Sequence, residues 1–131
     1  MSSAAQVKSE QTDVLVVDDD TAIVDRLVEC FQLSGLSCAA ATDSIDALRM
    51  LHEGLNPSVV LTDLRMPDLN GVGLASRLVQ LPHGHRPEII FVSGHANFGD
   101  AIEAVKLGAR DLLLKPVDRE KLLKSIRAAL V

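Results

Sequence analysis

The chain has 131 residues, enough for one domain with one core, and 47% of them are apolar, so that core needs no disulfide staples. Its net charge of −5 argues against binding nucleic acid through a basic field, and three phenylalanines without tyrosine or tryptophan offer no stacking platform for single strands. No window approaches the roughly 20 apolar residues of a membrane helix, and no basic segment followed by an apolar run marks a leader, so a cytoplasmic protein touching neither membrane nor nucleic acid is expected.

Residues 1–12 are small and polar without periodicity and are expected to be a flexible lead-in, with one domain over 13–131. Val14–Val17 is a short apolar run, a first strand. Ile23, Leu27, Cys30 and Phe31 recur at spacings of three and four, which predicts a helix that stops near Gly35. Leu36–Ala41 is a weaker second strand. Thr42 or Asp43 can cap a short helix carrying Ile45, Leu48 and Leu51, closed by Gly54 and Pro57. Val59–Leu61 is the third strand, and Leu64–Gly71, with Pro67, Asp68 and Asn70, is a loop. A helix with Val72, Ala75, Leu78 and Val79 follows, then a polar loop from Pro82 to Pro87 and a fourth strand, Ile89–Val92. Phe98, Ile102, Val105 and Ala109 mark the face of a further helix stopped at Gly108. Leu112–Leu114 is the fifth strand, and Asp118 can cap a last helix bearing Leu122, Ile126 and Ala129.

These are five βα units. Continuous apolar strands fit a parallel sheet covered on both faces, and right-handed crossovers favour a doubly wound α/β fold. Cys30 and Cys38 sit in apolar stretches and read as small buried residues of a reducing compartment rather than a disulfide. His83-Gly84-His85, in a Pro- and Gly-rich loop with no Cys or Asp beside it, reads as a solvated turn. Arg119, Lys121, Lys124 and Arg127 form the solvated face of the last helix, or part of a dimer face.

In such a sheet, ligands bind beyond the carboxyl ends of the strands. The first strand runs into Asp18-Asp19-Asp20, the third into Thr62-Asp63, the fourth into Ser93 and the fifth into Lys115-Pro116. Taken singly, each is a common turn. Together they deliver carboxylates, a hydroxyl and an ammonium to one edge. If strands one and three are neighbours they lie about 4.8 Å apart. Carboxylates about 4 Å apart repel by roughly 4 kcal/mol at an effective dielectric of about 20. Lys115 offsets part of this, and an oxygen-only site of this kind suits Mg2+. A carboxylate nucleophile, a cation and a hydroxyl donor make a phosphoryl-transfer layout, which Asp63, Lys115 and Ser93 fit.

The segments VLVVDDD, VVLTDLRMPDLNG, IIFVSGH and LGARDLLLKPVD resemble the receiver domains of two-component response regulators over about residues 13–131. Asp63 lies 45 positions after Asp18, with Ser93 30 and Lys115 52 positions further on, which fits the family without insertions. The resemblance implies a flavodoxin-like (βα)5 fold with strand order 2-1-3-4-5. It implies that Asp63 is phosphorylated by a histidine kinase or phosphotransfer protein. Asp18 and Asp19 match the acidic pair that holds Mg2+ with Asp63 and the backbone carbonyl of Arg65; Asp19 is the more direct ligand and Asp18 acts largely through water. Ser93 matches the switch hydroxyl, and Lys115, whose bond to Pro116 is often cis, matches the paired lysine. Gly94, His95 and the Arg65 side chain are expected at the pocket mouth, and Asp20 as a helix cap. The stretch from Val92 to Asp118 is similar to receivers attached to enhancer-type transcriptional activators. The resemblance leaves room for an output domain beyond the C-terminus and for a homodimer through the fourth helix, fifth strand and fifth helix. It implies no enzyme activity beyond self-phosphorylation and self-dephosphorylation.

One residue departs from the pattern. Receivers commonly place Tyr or Phe three residues before the lysine, and here that residue is Leu112. The conventional aromatic relay is therefore in question, and a signal through the loop after Ser93 and the following helix is expected instead. Three alternatives follow from the same residues. One is a docking-only receiver. Another is a phosphatase of the haloacid dehalogenase type using Asp18 and Asp20, against which stand Ala22 and the missing cap insertion. The third is a flavodoxin-like mononucleotide binder, whose phosphate three aspartates would repel.

Overall fold

The computed structural model describes residues 10–64, 71–81, 86–94 and 97–131. Among these, the chain alternates β1 (Glu10–Val17), α1 (Thr21–Leu33), β2 (Cys38–Ala41), α2 (Ser44–His52), β3 (Leu55–Asp63), α3 (Gly71–Leu78), β4 (Glu88–Ser93), α4 (Phe98–Lys106), β5 (Asp111–Leu114) and α5 (Arg119–Leu130). The strands form one parallel sheet in the order β2-β1-β3-β4-β5, the doubly wound arrangement expected.

The continuous apolar runs are explained by two-sided burial. Leu15, Val17, Val60, Ile89 and Phe91 face α2, α3 and α4, where Ala47, Leu74, Ala75, Leu78 and Ala104 complete one core. Their neighbours Val14, Val16, Val59, Leu61, Ile90 and Val92 face the other way, onto Val24 and Phe31 of α1 and Leu122 and Ile126 of α5.

Short polar side chains start the helices and glycines stop them. Asp20, Asp43, Asn97 and Asp118 cap α1, α2, α4 and α5 by accepting from backbone N–H groups of the first turn. Thus Asp43, not Thr42, starts α2. At the end of α1, Leu36 N–H donates to Phe31 O and Gly35 N–H to Gln32 O; Ala109 and Gly108 repeat the pattern on Ala104 and Val105 at the end of α4. Both are Schellman closures, and they hold Gly35 at φ 80° and Gly108 at φ 74°.

Three expectations are corrected. β1 and β3 begin earlier than their apolar runs, at Glu10 and Leu55, and pair from Glu10↔Leu55 to Thr12↔Pro57. Glu10–Thr12 therefore belong to the sheet and not to the lead-in, and Pro57 sits in a strand instead of closing α2. Proline is accommodated because β4 pairs with β3 only from Val59 onward, so Pro57 has a single strand neighbour. Second, the expected core face of α4 is turned outward: Phe98 is 82%, Ile102 42% and Val105 77% exposed, whereas Ala104 is buried. Small residues bring α4 onto the sheet and leave the larger apolar ones outside. Third, Cys30 and Cys38 are free thiols and only half-buried; burial raises the Cys38 thiol above its ordinary value.

Candidate functional site

Parallel register brings the strand ends level. Val17 at the end of β1 pairs with Thr62, Asp63 pairs with Val92, and Ser93 pairs with Leu114. The residues that follow these apolar runs therefore meet at one edge.

Asp18 leaves β1 with its side chain almost buried, 5% exposed. Its Oδ1 accepts the Asp20 N–H at 2.9 Å, which folds the loop back as an Asx turn. Its Oδ2 accepts from Lys115 Nζ at 3.0 Å, and the same ammonium donates to Asp63 Oδ2 at 2.9 Å. Lys115 thus joins the ends of β1 and β3, while its own N–H donates to the Ser93 carbonyl at 2.9 Å and ties β5 to β4. Its peptide bond to Pro116 is cis, as the resemblance implied. Ser93 is buried. Asp19 is exposed at the rim, and Gly94 is exposed with open space where a Cβ would stand.

Carboxylate oxygens of Asp18, Asp19 and Asp63 all lie within 4.8 Å of one another. Among the described residues three carboxylates face one ammonium, an excess of negative charge. Burial pulls the Lys115 pKa down, but the hydrogen bonds to Asp63 and Asp18 and the charges of both carboxylates outweigh it, and the ammonium is held above its ordinary value. Lys115 is therefore charged at neutral pH. The donor set consists of hard oxygens with a net negative charge, which fits Mg2+ rather than a softer ion.

Of the residues singled out in the sequence, Asp18, Asp19, Asp63, Ser93 and Lys115 come together. Arg65 and His95 lie outside the described residues, as do His83 and His85. Asp20 Oδ1 accepts from the N–H groups of Ala22 and Ile23 at 3.0 and 3.3 Å, so this carboxylate caps α1. Sequence reasoning missed the double use of Asp18, as loop acceptor and Lys115 partner. The signal was there: Asp two residues before the start of a loop-to-helix transition is an Asx-turn pattern.

A family model described as the response regulator receiver domain matches residues 14–127. The chain belongs to this family.

Among curated relatives, this receiver domain is 34% identical over 117 residues to the response regulator protein TodT of Pseudomonas putida, covering 89% of the chain and 50% of TodT. It is 36% identical over 123 residues to the transcriptional regulatory protein FixJ of Azorhizobium caulinodans, covering 92% of the chain and 56% of FixJ. The receiver domain thus spans about half the length of these relatives. Its fold superposes on the crystal structure of a response regulator receiver protein from Pseudomonas putida with a TM-score of 0.83 and 31% identity, covering 92% of this chain and 98% of that one. A CheY-like receiver domain protein from Methanospirillum hungatei gives a TM-score of 0.84 with 28% identity, covering 92% and 94%.

Proposed function

We propose that this receiver domain takes a phosphoryl group from a histidine kinase or phosphotransfer protein onto Asp63, and that the change alters its affinity for an output domain or partner in the cytoplasm. The observation that carries the reading is the Lys115 ammonium hydrogen-bonded to both Asp18 and Asp63 at the lip of a three-carboxylate cup.

Asp63 supplies the nucleophile. A carboxylate oxygen attacks phosphorus, an acyl phosphate P–O bond forms, and the bond to the donor imidazole breaks with the electron pair leaving on nitrogen. Lys115 remains charged and lies where phosphoryl oxygens develop negative charge, and the buried Ser93 hydroxyl can donate to one of them. Asp18, Asp19 and Asp63, with the Arg65 backbone carbonyl expected from the resemblance, would hold Mg2+. When bound, the ion neutralises charge on the phosphoryl oxygens and lessens repulsion of the incoming anion.

The test is incubation with acetyl phosphate and Mg2+ followed by intact mass. A hydroxylamine-labile phosphate on the wild type and none on Asp63→Asn is expected. An unmodified wild type, also with a cognate kinase, would leave a docking-only receiver.

The apolar outer face of α4 supports a homodimer through α4, β5 and α5. Phe98 and Val105 are exposed on α4, and Leu114 at the end of β5 is 61% exposed. Large apolar side chains left exposed in this number are a feature of association surfaces. An output domain beyond the C-terminus is a further candidate partner for this face.

A further inference from the structure

β2 is an edge strand, with β1 as its one strand neighbour among the described residues. The Val14 and Asp18 N–H groups donate to the Ser37 and Ala41 carbonyls, so alternate residues from Ser37 to Ala41 are turned toward β1. The N–H and C=O groups of Cys38 and Ala40 therefore point outward from the sheet. Ala40 is exposed, so the edge is open there. The strand is fixed at its start, where Asp13 Oδ2 accepts the Ser37 N–H and the Asp13 N–H donates to Ser37 Oγ, both at 2.9 Å.

Sheet edges are normally blunted by charge or proline. The opposite edge follows that rule, since β5 begins at Asp111 and lies between Arg110 and Lys115. β2 reads Cys-Ala-Ala-Ala and carries neither. Among the described residues, the large apolar side chains left exposed outside α4, Leu114 and the terminal Val131 are Leu33 and Ile45, on the helices just before and just after β2.

A second β2, run antiparallel about a two-fold axis at Ala39, sets Cys38 of each copy opposite Ala40 of the other. Each such pair exchanges two N–H···O=C bonds, so every outward-facing donor of the two strands finds an acceptor. Alanine meets alanine at the axis, with no like charge to repel. We propose that β2 is a homotypic docking edge, through which two copies of this chain join their sheets into one. The joint lies at the far edge from β5 and does not rest on Asp63 being a phosphoacceptor. Four hydrogen bonds make a transient pair, with a Kd of about 0.1–1 mM, seen only in concentrated solution.

Small-angle scattering of the full chain carrying Phe98→Glu, which removes the α4 face, tests it. The scattering mass doubles between about 0.02 and 2 mM. Ala40→Lys, an exposed change that adds the missing charge, holds the chain monomeric with unaltered circular dichroism. Ala40→Pro, whose lost N–H faces outward, does the same. Asp63→Asn pairs as its parent does. The register is read by cross-linking in a chain with Cys30→Ser and Cys38→Ser. Residues opposite at the axis have Cα atoms about 4.5 Å apart, within disulfide reach. Half-buried Ala39→Cys therefore oxidises to a disulfide-linked dimer about tenfold faster than exposed Ala22→Cys. The proposal is overturned by a monomer at about 2 mM, by undiminished pairing in both Ala40 variants, or by cross-linking no faster at Ala39→Cys than at Ala22→Cys. Capture of an extended peptide by a chain that stays monomeric also overturns it.

Discussion

Phe91 and Leu112 lie opposite one another across β4 and β5, and both face the core beneath α3 and α4. The ring of Phe91 is fully buried two residues before Ser93 and points to the same side of the sheet. Aromatic bulk on this face is thus carried by β4, two residues from Ser93, while β5 contributes a half-buried leucine.

The first prediction concerns the path of the signal. With no ring at 112 to turn inward, a movement of Ser93 on phosphorylation should be transmitted through β4 toward α4. Amide exchange with and without beryllofluoride, a phosphoryl mimic, should change from Gly94 through α4. Changes confined to β5 and α5 would reject this path.

The second concerns the charge of the cup. Asp63→Asn removes one of three crowded carboxylates and should stabilise the metal-free protein by about 1 kcal/mol. Lys115→Ala removes the ammonium shared by Asp18 and Asp63 and should destabilise it by about 1–3 kcal/mol. Urea titrations in the presence of a chelator measure both. Loss of stability in Asp63→Asn would contradict the repulsion argument.

Mg2+ should stabilise the wild type, by about 2.7 kcal/mol at a hundredfold excess over its Kd. Asp63→Asn leaves two carboxylates of the three and should show a much smaller rise in Tm at the same ion concentration. An equal rise in the two proteins would place the ion elsewhere.

On the outer face of α4, Phe98→Glu and Val105→Glu should change stability by no more than about 0.5 kcal/mol, as exposed positions do. Sedimentation of the beryllofluoride-loaded protein should show self-association in the wild type and none in these variants. A dimer that survives both changes would have to use another surface.

Gly108 closes α4 at a positive φ with open space around it, so only backbone strain opposes a side chain there. Gly108→Ala should cost about 1–2 kcal/mol, measured as a shift of the urea midpoint.

Most of the scaffold was legible in the residues themselves. Apolar runs located all five strands, the period of three and four located the helices, and Asp20, Asp118, Gly35 and Gly108 marked ends that the structure keeps. These signals are local, because capping, turn formation and face periodicity depend on neighbours within about one helical turn. The acidic run, Asp63, Ser93 and Lys115 could likewise be assigned to strand ends. Three things were decided only by tertiary structure. Register made Asp18 and Asp63 share one lysine. Pro57 could enter β3 because its second neighbour strand starts later. The apolar stripe of α4 faced outward because Ala104 fits closer to the sheet than Phe98 or Val105. A hydrophobic pattern tells which residues share a side of a helix, but which side is covered depends on the shape of what packs against it.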